Sequence, residues 1–170
     1  SDLMQVLLPI REATPPGAPS KPSWRAFTEM GFRPLYLLGC AWALVSVLLW
    51  IHAPGLLRGD LGGVFWHGHE MLWAFVGTIA VGFLLTAGGN WTGHNPLRGN
   101  ALAALCALWL VARVGYLAPG RPAFWVATAA DLAFFLWAAA ALGRSVWRSR
   151  NTRNYGVPLM LLALALTHLM

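Results

Sequence analysis

Long apolar runs separated by short polar segments dominate the chain from residue 34 onward. A membrane-spanning helix needs about 20 predominantly apolar residues, and the runs approach this length. The pattern therefore predicts four complete spans and a truncated fifth, at about residues 35–52, 66–88, 101–118, 123–142 and 157–170. The fifth run is too short to cross about 30 Å of hydrocarbon at about 1.5 Å per residue. We therefore expect the chain to be a fragment that lacks further C-terminal helices.

The first 33 residues differ from the rest because they contain a cluster of prolines. Proline lacks a backbone N–H and fixes φ, so closely spaced prolines prevent a continuous helix. We therefore expect residues 1–33 to form a loose tail and residues 34–170 to form the transmembrane domain. Pro34 suits the first turn of a helix. The prolines of the tail are Pro9, Pro15, Pro16, Pro19 and Pro22.

The composition supports a membrane protein. Of the 170 residues, 58% are hydrophobic and only 11% are charged, whereas soluble domains carry about 25% charged residues. These values exclude a soluble globular domain, and the presence of only 2 cysteines excludes a disulfide-rich scaffold. The sequence therefore predicts an all-α, polytopic transmembrane helical bundle with the lipid bilayer as its surroundings.

The charge distribution predicts an orientation in the membrane. The 12 Lys and Arg residues outnumber the 6 Asp and Glu residues, but they are scattered among loops, so we expect no nucleic-acid partner. Cytoplasmic loops carry an excess of Lys and Arg, and most basic residues lie on the side of the tail. The N-terminus is therefore predicted to be cytoplasmic. The basic residues on that side are Arg11, Lys21, Arg25, Arg33, Arg98, Arg144, Arg148, Arg150 and Arg153, against Arg58 and Arg121 on the other.

The densest set of chemically active side chains opens the second span, at His67, His69, Glu70 and Met71. Imidazole binds copper, zinc and haem iron, and a thioether suits Cu(I). On a helix, His67 and His69 lie about 200° apart, whereas His67, Glu70 and Met71 share a face. On a helix the two imidazoles would therefore serve different centres or different roles, whereas an extended or turning entrance would place both on one side. The alternative is that these side chains hydrogen-bond only to loops and water at the membrane interface.

Three further ionisable residues interrupt the later apolar runs. Arg113 lies near the end of the third span, and Asp131 lies in the first half of the fourth. A charge near the bilayer centre costs at least about 2.5–3.5 kcal/mol and is usually paired, so these two are natural partners. They would form an interhelical ion pair, or alternatively serve a proton path or hold an anionic group such as a haem propionate. His168, inside the fifth run, is another candidate ligand.

Mostly small residues recur along one side of the second span. Glu70, Ala74, Gly77, Val81 and Gly88 lie on one approximate stripe. Small residues let helix backbones approach closely in lipid. The stripe therefore predicts close packing of the second span against its neighbours.

Several motifs together resemble the NnrS family of bacterial inner-membrane proteins. Their order and spacing carry the resemblance, which covers roughly residues 28–170. The later pairs Ala112-Arg113 and Asn154-Tyr155 also resemble the family. The main motifs are Gly31–Pro34, Trp66–Met71, Gly82–Ala87 and Asn90–Gly93.

The resemblance implies a larger polytopic protein that binds haem and copper and takes part in bacterial responses to nitric oxide and nitrosative stress. It makes His67, His69, Glu70 and Met71 candidates for the metal or haem site near the extracytoplasmic face, beside His168, which is a candidate from its position in the fifth run. Glu70 would orient a ligating histidine or relay a proton. Reduction, sensing and removal of nitric oxide from other metal centres are the alternative roles.

Two other classes of function fit the same residues. In a transporter or permease, the polar groups would line a proton or substrate path. In a scaffold or assembly factor, they would only fix the helix packing. A haem absorption band would favour the haem and copper protein, and proton- or substrate-dependent flux would favour the transporter. The absence of both signals would favour the scaffold.

Overall fold

Helices make up most of the described chain, which comprises residues 23–57 and 60–167 of a computed structural model. No β-strand occurs within these two ranges. Short 3₁₀ turns at Pro54–Leu56 and Thr152–Asn154 lie in two of the connections. The helices are α1 (Trp24–Phe27), α2 (Phe32–His52), α3 (Gly63–Thr92), α4 (Asn100–Leu117), α5 (Arg121–Arg148) and α6 (Gly156–Leu166).

Four of these helices, α2 to α5, are long and apolar enough to cross a membrane. Helices are stable in the hydrocarbon core of a membrane because their backbone groups hydrogen-bond within the helix where no water is available. The predicted all-α transmembrane fold is therefore confirmed, and the chain is a multi-pass membrane protein. The fifth predicted run, 157–170, contains α6, whereas its last three residues, including His168, lie outside the described residues.

Two helices extend well beyond the apolar runs from which they were predicted. α3 continues to Thr92 and α5 continues to Arg148, whereas the predicted spans ended at about residues 88 and 142. The sequence prediction stopped where apolarity stopped, but polar residues are compatible with a helix end at the membrane surface. Thr92 donates its hydroxyl to the Gly88 carbonyl, and Gly93 then ends α3 with a φ of 69°, which glycine adopts at little cost.

The end of the proline-rich segment is packed, contrary to the expectation of a loose tail up to residue 33. Residues 24–27 form α1, and the next residues contact the loop between α3 and α4. The Thr28 carbonyl accepts a hydrogen bond from Gly99 N at 2.8 Å, and the Glu29 carbonyl accepts one from Asn95 at 2.6 Å. The prolines of the tail lie outside the described residues.

α3 packs against both α2 and α5. α5 also packs along α4 and α6. The predicted small-residue stripe of α3 faces this interior: its members Glu70, Ala74 and Val81 are inaccessible to solvent. The largest buried side chains of the surrounding core are Trp66, Trp109, Phe134, Phe135 and Leu142.

The middle of α3 is not a regular α-helix, because its hydrogen bonding becomes π-helical over Glu70–Gly77. A π segment widens the turn and changes the direction of the side chains that precede it relative to those that follow, and such segments are frequent at functional sites. The segment starts directly after His69. α-helical geometry alone therefore does not describe how the His67–Met71 motif is presented.

A buried hydrogen bond joins α3 to α4 near the end of the π segment. Trp109 Nε1 donates to Thr78 Oγ1 at 2.7 Å, and both residues are buried. We expect Thr78→Val to lower the free energy of unfolding by about 1 kcal/mol, the scale of interhelical hydrogen bonds in membranes, because the indole N–H loses its acceptor. Denaturant titration followed by circular dichroism in detergent measures this loss. Thr78→Ser keeps the hydroxyl, so an equal loss in that variant would contradict the explanation.

Candidate functional site

Three charged side chains from three helices meet in the interior of the bundle. Arg113 of α4 places its Nη1 3.0 Å from Glu70 Oε2 of α3, and its Nη2 donates to Asp131 Oδ2 of α5. All three side chains have zero solvent exposure. A buried ion needs a partner and further hydrogen bonds to offset its lost hydration, and Arg113 has a carboxylate on each terminal nitrogen.

His69 joins this cluster through its Nδ1, while its Nε2 lies beyond hydrogen-bond distance of Asp131. Its Nδ1 lies 2.9 Å from Glu70 Oε1, and its Nε2 lies 3.7 Å from Asp131 Oδ2. The ring packs between Trp73 and Tyr116, with centroid distances of 5.0 Å and 4.5 Å. Aromatic packing and the carboxylate contact together fix the orientation of the imidazole.

Aromatic side chains from α2 and α4 complete the surroundings of the charges. Trp42 Nε1 of α2 donates to Glu70 Oε2, the same oxygen that Arg113 contacts. The Arg113 guanidinium also lies 5.5 Å from the ring centroids of Trp109 and Tyr116, within the range of cation–π attraction. Trp42, Trp109 and Tyr116 were not identified from the sequence as part of the site. The only feature of the sequence that could have indicated them is that Trp and Tyr occur inside apolar spans.

The cluster contains two carboxylates for one guanidinium. With a neutral imidazole, Glu70, Asp131, Arg113 and His69 therefore carry a formal net charge of −1. An uncompensated charge in a buried, low-dielectric site is costly. One proton on the cluster, or the positive charge of a metal centre on the imidazole, would balance it.

A cavity of about 380 Å³ adjoins the cluster, and His69 forms part of its wall. Trp73, Tyr116 and Phe124 supply aromatic surface, and Thr128 and Thr167 supply hydroxyl groups. Small-molecule sites have volumes of about 300–1,000 Å³ and are mainly apolar with a few polar groups. The cavity therefore has the size and the lining of a site for a small ligand.

The NnrS protein family model matches residues 26–170, which is most of the chain. The chain belongs to the NnrS family. Neither a curated protein nor a solved structure shows significant similarity to it.

In this NnrS chain, the two histidines of the motif lie in different surroundings. His67 stacks on Trp50 of α2 with a centroid distance of 4.2 Å and an interplanar angle of 4°, and its buried Nδ1 has no hydrogen-bond partner among the described residues. His69 instead joins the charged cluster. The predicted separation of the two imidazoles therefore agrees with the geometry.

His67 and Glu70 of the predicted group both contact α2, His67 through Trp50 and Glu70 through Trp42. Glu70 also contacts the adjacent His69, which the prediction had placed on another face. Met71 is half-buried. Of the predicted site residues, the structure thus brings together His69, Glu70, Arg113 and Asp131, and it leaves His67 apart.

Within residues 23–57 and 60–167, no group of three His, Cys, Asp or Glu side chains is arranged to hold a metal ion. A closed copper or zinc site made of this segment's own ligands would need such a group. A haem needs less from the protein, because the porphyrin supplies the equatorial nitrogens and the chain need supply only an axial ligand.

Proposed function

We propose that this NnrS-family protein binds haem through His69 and acts, together with copper, in bacterial nitric oxide metabolism or nitrosative-stress defence at the inner membrane. The observation that carries the proposal is the His69–Glu70 pair beside a cavity. Histidines that bind metals commonly donate their other ring N–H to a carboxylate, which fixes the tautomer and raises the basicity of the ligating nitrogen. Glu70 Oε1 is at hydrogen-bond distance from His69 Nδ1.

The buried partners of Glu70 support this role. Arg113 and Trp42 both donate to Oε2, so the carboxylate is held while Oε1 remains available for His69. Glu70 thus orients the imidazole and accepts its N–H. Bound haem would supply an iron centre that takes a diatomic ligand, and the net negative charge of the cluster favours a cationic centre nearby.

The same geometry favours an ion pair as the role of Arg113. Its guanidinium is fully buried and already faces two carboxylates, so a haem propionate would have to displace one of them. We therefore propose that Arg113 fixes α3, α4 and α5 around the site, and that Asp131 balances its charge.

Copper fits His67 better than the charged cluster. The His67 Nδ1 is buried and lacks a hydrogen-bond partner among the described residues, and imidazole is a suitable copper ligand. A single imidazole does not make a copper site. Met71, His168 or a segment outside the described residues would therefore have to complete it. In the predicted orientation, with the N-terminus cytoplasmic, both histidines lie toward the extracytoplasmic face.

Visible absorption and metal analysis of the protein purified in detergent test the proposal. After expression with ample haem and copper, we expect the parent to show a Soret band and bound copper. His69→Ala should lose the Soret band and retain copper, whereas His67→Ala should lose copper and retain the Soret band. Each variant is the matched control for the other. A folded parent with neither cofactor would refute the proposal.

The variant Glu70→Gln tests whether Glu70 orients His69, because it leaves the proposed haem ligand His69 unchanged. The amide keeps the size of the side chain but is a weaker acceptor for the imidazole N–H, so haem affinity should fall by about 10–100-fold, as for other groups that support a metal-bound histidine. Haem titration followed at the Soret band measures the change. Unchanged affinity would contradict the proposed role of Glu70.

A proton-coupled transporter is the second candidate, because two buried carboxylates and a histidine beside one arginine are groups that can carry a proton. It predicts no Soret band, together with flux in proteoliposomes that depends on a pH gradient. Asp131→Asn would abolish that flux. The absence of flux, with haem present in the same preparation, would exclude this candidate.

A further inference from the structure

At the end of the bundle opposite the charged cluster, a small polar pocket lies between the loop after α3 and the last turns of α5. Its volume is about 110 Å³, and its lining includes His94, Asn95, Arg144, Ser145 and Arg148. It lies on the same end as α1, since Asn95 donates to the Glu29 carbonyl. The proposed cofactor site does not use any of these residues.

The floor of the pocket is buried and hydrogen-bonded. Ser145 is 4% exposed, and its Oγ lies 2.8 Å from both Thr92 Oγ1 and the His94 carbonyl. The His94 Nδ1 in turn contacts the Thr92 carbonyl at 2.8 Å. These bonds join the loop after α3 to α5 beneath the pocket.

The rim of the pocket is basic. Arg144 and Arg148 are one helical turn apart on α5 and exposed, and neither forms an ion pair or a side-chain hydrogen bond within the part of the chain that the structure describes. Glu29 lies at the same end of the bundle, but its Oε1 faces Arg98 Nη1 at 3.8 Å. Two arginines on one rim therefore present ten N–H donors to an anion.

Aromatic residues near the pocket indicate its depth in the membrane. Trp147 is 74% exposed and stacks on Tyr155, and Trp91, whose carbonyl accepts from Asn151, is 40% exposed. Exposed Trp and Tyr concentrate at the level of the lipid headgroups. The pocket therefore opens where the phosphates of a bilayer lie.

We propose that this pocket binds the phosphate group of an anionic phospholipid. Basic pockets between transmembrane helices near the membrane surface recognise lipid headgroups, and the arginine fork matches phosphate oxygens in pairs. Arg144 and Arg148 hold the phosphate, and the Ser145 floor sets how deeply it enters. The bound lipid joins the end of α5 to the loop after α3.

Native mass spectrometry of the full chain in detergent tests the proposal, with phosphatidylglycerol and phosphatidylcholine as probes. We expect phosphatidylglycerol to bind more tightly, and the double variant Arg144→Gln/Arg148→Gln to weaken its binding by about tenfold. The matched control is Arg150→Gln/Arg153→Gln, which removes the same charge from the adjacent loop but not from the pocket. That control should keep most of the affinity.

Three results would overturn the proposal. An equal loss in both double variants would mean diffuse surface attraction, and displacement of phosphatidylglycerol by inorganic phosphate at similar concentration would mean a site for the free ion. The third is that the wild-type chain shows no preference for phosphatidylglycerol over phosphatidylcholine. This last measurement needs no variant and decides the question even if a substitution impairs folding. Because the substituted arginines are exposed, circular dichroism should show unchanged folding.

Discussion

Arg113→Met should destabilise the protein by about 3–5 kcal/mol, the cost of removing one partner from a buried ion pair. Glu70 and Asp131 would remain inside the bundle without their cation, and both are inaccessible to water. The methionine side chain fills much of the arginine volume, so the loss reports charge more than packing. Titration with a denaturing detergent, followed by circular dichroism, measures the change in the free energy of unfolding.

The matched control for this variant is Arg121→Met. Arg121 begins α5 and is exposed, so its loss should cost little. The triple variant Arg113→Met/Glu70→Gln/Asp131→Asn removes both orphaned charges as well and should recover most of the stability. Equal stability of Arg113→Met and Arg121→Met would show that the cluster is not a buried ionic contact.

Gly115→Val should be the most damaging substitution of a small residue at the α4–α5 contact. A Cβ at Gly115 would lie 2.8 Å from Ala127 Cβ and 3.2 Å from the Ala123 carbonyl oxygen. These atoms belong to the backbone of α5 or lie next to it, so the helices themselves must separate. Overpacking of this kind costs about 1–3 kcal/mol, and separation of α4 from α5 would also lengthen the Arg113–Asp131 contact. We therefore expect lower stability and lower haem occupancy together.

Gly143→Ala provides the comparison for Gly115→Val. A Cβ there would lie 3.6 Å from Pro158 Cβ, which is ordinary van der Waals contact. Alanine favours a helix over glycine by up to about 1 kcal/mol, so this variant should be neutral or slightly more stable. The same unfolding titration compares the two substitutions. Tolerance of valine at 115 would contradict the close helix approach.

The sequence was sufficient for the architecture because each span is a long apolar run that no soluble fold accommodates. It was also sufficient to indicate Arg113 and Asp131 as natural partners, since two opposite charges at similar depths in lipid have few other stable arrangements. The ends of α3 and α5 were misjudged because apolarity reports the hydrocarbon core, whereas Thr92 and Arg148 end helices beyond it.

The contact between His69 and Glu70 could not be predicted from α-helical periodicity, because α3 changes its winding at Glu70. The position of Trp42 was also inaccessible, since its contact with Glu70 joins residues 28 positions apart on separate helices. Such contacts depend on the rotation of one helix relative to another. A uniformly apolar run does not show which side of a helix faces its neighbour. Here the contacts of the charged cluster determine which sides of α3, α4 and α5 face each other.

The distribution of the three charges over the helices has a consequence for biogenesis. Arg113 and Asp131 lie on consecutive helices joined by the short link 118–120, so α4 and α5 can enter the bilayer as a hairpin whose charges already neutralise each other. Each helix alone would carry an insertion penalty of about 2.5–3.5 kcal/mol. α3 leaves the ribosome earlier, after α2 with its Trp42, so Glu70 gains its contact with Arg113 only when the hairpin arrives. The ionic contact that joins α3 to α4 therefore forms only after α4 has been made.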